Sequence, residues 1–216
     1  MSDSLLDLLA PQAADMSGRM LGVAVGIVTN NQDPDGLGRV RVHFPWLDDN
    51  VESFWARVAS PMAGKDRGVY FLPEVNDEVL VAFQHGRPEA PVIIGSLWNG
   101  QDKPPAGNGD GKNSVRVIKS RSGHLIRLDD TADAEKIEII DKSGNNKLVL
   151  DTKTRTVTIA ADGDLVIQST NGKVAISGKT VEIKSAAGAI ALTSQAAMTV
   201  QAQADLTIKG AMVNIN

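Results

Sequence analysis

Thr156-Val157-Thr158-Ile159, Leu165-Val166-Ile167, Val174-Ala175-Ile176, Val181-Glu182-Ile183, Ile190-Ala191-Leu192, Met198-Thr199-Val200, Leu206-Thr207-Ile208 and Val213-Asn214-Ile215 form the last third of the chain. The first apolar residue of each unit falls at 157, 165, 174, 181, 190, 198, 206 and 213, a spacing of seven to nine residues. Within a unit the two apolar residues lie two apart, so both point to one face of a short strand. Gly, Ala, Ser, Asn or Lys follows and turns the corner. A unit this short cannot bury its own apolar face and must stack on others, which is the logic of a β-solenoid. The pattern predicts a stiff, thin rod.

Residues 20–99 read differently. All eight aromatic residues lie between Phe44 and Trp98, and large rings are expected to fill a globular core there. Val23–Val28, Arg39–Phe44, Phe54–Val58, Gly68–Leu72, Glu78–Phe83 and Val92–Leu97 read as strands. Asp33-Pro34-Asp35-Gly36 and Gly86-Arg87-Pro88 read as turns. Short strands without a helical period predict a small closed barrel. Residues 100–114, with Pro104, Pro105 and several glycines, read as a linker. Residues 115–150 read as a wider collar of four strands, with hairpin turns at 129–133 and 141–146. Residues 151–216 are the repetitive segment.

Composition excludes several functions. The net charge of −4 argues against a nucleic-acid partner. No cysteine is present, so neither disulfides nor thiolate metal sites are available. No apolar run is long enough to span a bilayer. Met1–Leu9 lacks the basic region of a signal peptide, which predicts synthesis in the cytoplasm. His43, His85 and His124 are scattered through the sequence and read as structural. Asp33-x-Asp35-Gly36 and the segment from Asn108 lack the closing Glu of a calcium loop, giving Phe44 and Lys119 at that position. Ser120 and His124 have no nucleophile elbow around them. The expectation is a protein with no catalytic residues, no metal and no cofactor.

Several blocks of the barrel resemble a known family. Gly26-Ile27-Val28, Gly36-Leu37-Gly38-Arg39-Val40-Arg41-Val42, Trp55-Ala56-Arg57-Val58, Pro73–Phe83 and Pro91–Gly100 follow in the order found in the OB domain of phage baseplate assembly protein V and of VgrG. The glycine this family places before Asp-Glu-Val is Asn76 here, and asparagine also tolerates positive φ. The resemblance implies an all-β chain: an N-terminal OB-fold barrel followed by a C-terminal β-helical solenoid spike, intertwined as a homotrimer. Periodicity alone leaves a single winding chain and three intertwined chains equally open; the resemblance favours the trimer.

The resemblance further implies a structural role, as the central spike of a contractile injection machine that pierces a target envelope when the sheath contracts. Residues 1–19 then form a docking tail for a separate hub protein, with Leu5, Leu6, Leu8 and Leu9 as its apolar contacts. Val213, Asn214, Ile215 and Asn216 bind a separate PAAR-repeat tip protein. Target membrane is touched transiently, and the assembled particle is the final location. The rival reading from another class is a trimeric surface adhesin or glycan-binding module on a solenoid stalk.

Overall fold

The computed structural model describes residues 18–47 and 51–215. The chain divides into two compact units, Met1–Asp162 and Gly163–Asn216. Among the described residues every regular element is a strand except one 3₁₀ turn at Gln84–Gly86.

The barrel strands are β1 (Val23–Asn30), β2 (Arg41–His43), β3 (Arg57–Val58), β6 (Glu78–Phe83) and β7 (Pro91–Leu97), in the order β2-β1-β6-β7-β3. All neighbours are antiparallel except β3 and β7. This is an OB-like half-barrel, and its open side is stitched by the segment leading into β3. The Val40 amide donates to the Ala56 carbonyl at 3.0 Å, and the Ala56 amide returns the bond at 2.7 Å. β6 shows why the sequence folds this way: Val79, Val81 and Phe83 point in while Glu78, Leu80 and Ala82 alternate outward. The core is Val28, Val40, Val42, Phe44, Ala56, Val79, Val81, Phe83 and Ile93.

Three barrel expectations are corrected. Only Phe44 and Phe83, 5.8 Å apart between centroids, are core aromatics. Trp46, Phe54, Tyr70, Phe71 and Trp98 are exposed. So narrow an interior is filled by β-branched side chains, which pack on a pleated surface more compactly than rings. The expected strand Phe54–Val58 shrinks to Arg57–Val58, with single bridges at Glu52 and Ala56. The expected strand Gly68–Leu72 is instead the end of a hairpin, β4 (Ala63–Gly64) with β5 (Arg67–Gly68). A Cβ at Gly68 would lie 2.6 Å from the Met62 carbonyl oxygen, so this close crossing requires glycine. The Asn76 expectation agrees with the structure: its φ is 78°, and its amide donates to Val28 at 2.8 Å.

Beyond the turns of residues 99–113, β8 (Val115–Lys119), β9 (Leu125–Asp129), β10 (Lys136–Ile140), β11 (Lys147–Asp151) and β12 (Thr156–Ala160) form a five-stranded antiparallel meander. Its turns are written in side-chain oxygens. The Asp129 carboxylate accepts from the Thr131 amide at 3.0 Å, Asp141 from the Ser143 amide at 3.1 Å, and Asp151 from the Thr154 amide at 2.8 Å. The sequence reading placed Thr156–Ile159 in the first unit of the solenoid. The structure makes it the fifth strand of the meander, because the turn capped by Asp151, with Arg155 at φ 56°, folds it back onto β11.

Gly163–Asn216 contains no strand among its described residues. Bends at 170–172, 179–180, 186–188, 195–196, 203–204 and 211 separate extended segments, and each segment carries one apolar pair of the repeat. Ser185 makes one such corner, donating to the Gly188 carbonyl at 2.8 Å and accepting its amide at 3.1 Å. The corners therefore fall where the repeat places them. The lateral strand pairing of a solenoid is not made among the described residues.

Candidate assembly surface

The meander runs without a register shift, so its cross-strand rows can be read directly. One row is Arg116, Leu128, Ile137, Leu150 and Val157. Two residues along, on the same face, is Ile118, Ile126, Ile139, Leu148 and Ile159. Nine of these ten side chains are aliphatic. All but the half-buried Leu148 are exposed, from 38% at Leu150 to 68% at Val157. Arg116 sits at the corner of the face and is paired with Asp130 at 2.5 Å. Scattered apolar exposure is ordinary, but nine aliphatic residues in two adjoining rows form a patch of the kind that marks an interface.

The opposite face is mixed: Val115, Val117, Leu125, Ile140 and Val149 share it with the charged residues. Its middle row is Val117, Arg127, Glu138, Val149 and Thr158. Arg127 Nε donates to Glu138 at 2.6 Å, and this pair makes Glu138 the one buried charged residue among those described. Lys136 and Asp151 pair at 3.5 Å on the same side. The Asp151 carboxyl is held below its ordinary range, first by the Thr154 amide. Asp129 is lowered likewise, chiefly by the Thr131 hydroxyl. Most of this face is half-buried within the chain, whereas the aliphatic face is the exposed one.

In Gly163–Asn216 the pairs Leu165/Ile167, Val174/Ile176, Val181/Ile183, Ile190/Leu192, Met198/Val200, Leu206/Ile208 and Val213/Ile215 are all exposed. In each pair the second side chain is the more exposed, so the bare side recurs with the repeat. Val213 and Ile215 belong to this series, Asn214 is exposed beside them, and Asn216 lies outside the described residues. Leu5, Leu6, Leu8 and Leu9 also lie outside the described residues.

The barrel contributes two further features. Arg39 donates from Nε to Asp33 Oδ2 at 2.9 Å and from Nη2 to Oδ1 at 2.7 Å, a forked pair that also reaches Asp35. The Arg39 guanidinium holds the Asp33 carboxyl well below the usual carboxylate range. Arg39 and Arg41 flank the Trp55 ring at 5.8 and 5.0 Å from its centroid. The second feature is a groove of about 620 Å³ under the β4–β5 hairpin, rimmed by Leu37, Met62 and Tyr70. The three histidines are held on separate elements, and His124 Nδ1 accepts from the Lys142 amide at 3.3 Å. Among the described residues no group of three or more His, Asp or Glu is placed to hold a metal.

The sequence reading located four of the five meander strands but did not single out their shared face. The signal was present: Ile126/Leu128, Ile137/Ile139, Leu148/Leu150 and Val157/Ile159 each lie two apart. What it lacked was the unbroken register that aligns them.

Residues 24–98 match the family described as the type VI secretion system/phage-baseplate injector OB domain. The chain is 32% identical over 130 residues to the type VI secretion system spike protein VgrG3 of Vibrio cholerae, which covers 56% of this chain and 13% of that protein. It is 30% identical over 144 residues to the spike protein VgrG1a of Pseudomonas aeruginosa, covering 61% of this chain and 22% of that one. It is also 33% identical over 94 residues to the actin cross-linking toxin VgrG1 of Vibrio cholerae, covering 42% and 9%. The chain thus spans under a quarter of the length of these relatives. With the OB-like barrel, these matches identify residues 24–98 as an OB domain of the type VI secretion system/phage-baseplate injector kind, and the chain as similar to VgrG spike proteins.

Proposed function

We propose that the chain is a structural module of a contractile injection machine, working as a trimer that carries force through a target envelope. The observation that carries this reading is the uncovered aliphatic face of β8–β12. Full burial of an aliphatic side chain is worth about 1.5–3 kcal/mol, so a half-exposed one gains roughly 1 kcal/mol more. Nine of them give on the order of 10 kcal/mol per chain, within the estimated 4–15 kcal/mol cost of association. The face alone therefore leaves assembly near balance. The seven exposed pairs after Gly163 tip it toward association.

Three chains also remove the exposed strand edges of each. Cross-linking each layer by backbone hydrogen bonds would give the stiffness that force transmission requires. In this reading the barrel end meets a hub protein, through Leu5, Leu6, Leu8 and Leu9, and the Val213–Asn216 end meets a PAAR-repeat tip. The protein would be made in the cytoplasm and built into a particle.

Resistance to detergent tests the assembly. An intertwined trimer should migrate as one three-chain band in SDS without heating and as a single chain after boiling. A single-chain band in both lanes, from protein that is folded beforehand, contradicts the reading. The tip contact has its own test. The double variant Val213→Asp/Ile215→Asp should stay assembled, since the other six pairs remain, yet lose capture of a purified PAAR-repeat protein, and unchanged capture would remove these residues from the contact.

A further inference from the structure

The meander has two free edges, and they differ. β8 carries Arg116 and Lys119, charges of the kind that blunt an edge against further pairing. β12 is Thr156-Val157-Thr158-Ile159-Ala160, with no charge, no proline and no register shift against β11. A β-branched, uncharged edge is an open template for another strand.

The hydrogen-bond alternation says which groups are open. The Asp141 amide donates to the Asn146 carbonyl at 3.0 Å and the Thr152 amide to the Glu135 carbonyl at 3.1 Å. These two bonds bracket β10 and β11, so the bonded pairs between them are Ile137/Leu150 and Ile139/Leu148. One residue along, the bonded pairs of β11 with β12 are Lys147/Ala160, Val149/Thr158 and Asp151/Thr156. The amides and carbonyls of Val157 and Ile159 therefore point away from β11, toward the open edge. The two residues that bear the aliphatic side chains of β12 are also the two that offer its unpaired backbone.

The phase of the repeat identifies what fits there. Val157/Ile159 precedes Leu165/Ile167 by eight residues, within the seven-to-nine step that separates later units. β12 is thus a meander strand that carries the spacing of the repeat and is already paired on one edge. We propose that the open edge of β12 is the docking site for the Leu165–Ile167 unit of a second copy of this chain, so that the meander templates the register in which the copies assemble. The inference rests on the trimer reading and deepens it, since it names the first rung between copies. Register matters here because the units differ only slightly, and a slip by one unit would still bury apolar surface. A preformed strand with one satisfied edge fixes the starting layer before the less distinctive units pair.

The absence of natural cysteine makes the geometry directly testable. With Val157/Ile159 aligned on Leu165/Ile167, Thr158 of one copy lies beside Val166 of the next, roughly 5 Å apart at Cβ. The full-length double variant Thr158→Cys/Val166→Cys should oxidise to a covalent three-chain band on a denaturing gel without reductant, while either single variant should not. A band at single-chain mass, or no cross-link, from protein that scatters light as a trimer would overturn the docking site and leave the trimer standing. A covalent trimer from Thr158→Cys/Val117→Cys instead would assign the edge to β8 of the neighbour and overturn it equally. If the unmodified protein is a folded monomer, the trimer reading falls and this inference falls with it. Hydrogen exchange supplies a second measurement on the unmodified protein: the Val157 and Ile159 amides should exchange at least ~100-fold more slowly than in an unpaired chain. Rapid exchange at both, with Thr156 and Thr158 protected, contradicts the proposal.

Discussion

Ile137 stands directly opposite Leu150 across β10 and β11, and both lie on the side of the meander that nothing among the described residues covers. Two aliphatic residues facing each other in the middle of a sheet would ordinarily be core. Here they are 46% and 38% exposed. Their neighbours Ile139 and Leu148 repeat the arrangement one bonded pair along.

The face can be tested by charge. Ile139→Asp should block assembly, because burying the new carboxylate in each of three copies costs several kcal/mol or more per trimer. Lys147→Asp, exposed on the opposite face and away from the β12 edge, should leave the assembled mass unchanged. The masses of both variants are to be compared by light scattering. Equal disruption by the two would show that the faces are wrongly assigned.

The repeat yields a parallel comparison. Ile183 is the more exposed member of its pair, while Lys184 reaches back to Glu182 at 2.6 Å. Ile183→Asp should lower the midpoint of thermal dissociation sharply, and Lys184→Asp should shift it little. Calorimetric scans of the two proteins decide the matter, and similar losses would put the pair's inward face in the wrong place.

Within the barrel, Asp33 ties together the loop that precedes β2. Its side chain is 3% exposed, and besides the fork to Arg39 it accepts from the amides of Leu37 and Arg39. Asp33→Asn keeps the shape but loses the charge that Arg39 reads. It should lower barrel stability more than Asp35→Asn, whose carboxylate is 66% exposed. Denaturant midpoints measured on the two variants would contradict this if their order were reversed.

Acid should weaken the meander turns in a defined direction. The Asp141 carboxyl is lowered to about 2, first by the Ser143 hydroxyl and then by Asn146. A carboxyl lowered on folding contributes stability that is complete above its unfolded value of ~3.9 and is lost as pH falls through the folded value. The Tm gap between the natural protein and Asp141→Asn should therefore be constant above about pH 5 and narrow toward pH 2. A gap independent of pH would remove Asp141 from the account.

The barrel was legible because its information is local. The alternation Val79, Val81, Phe83 names the inward face, and Asn76 marks a turn that needs positive φ. The exposed aromatics were not legible, since composition says which rings exist and not which face carries them. β12 was misassigned for a related reason. Thr156–Ala160 has the period, length and residue types of a repeat unit, and only the Asp151-capped turn and its partner β11 distinguish it. The repeat located the corners after Gly163 because corners are set by small residues in sequence. Lateral pairing is not made among the described residues, so spacing alone could not locate it. Of the candidate contacts, Val213, Asn214 and Ile215 are described and exposed, whereas Asn216 and the four N-terminal leucines fall outside the described residues.

The central claim is that three copies cover one another's aliphatic faces, and the mass of the full-length protein in solution tests it most directly. Multi-angle light scattering on the purified chain, across a tenfold range of concentration, should give three times the single-chain mass throughout. A folded, monodisperse monomer with the aliphatic face of β8–β12 in water would contradict the account.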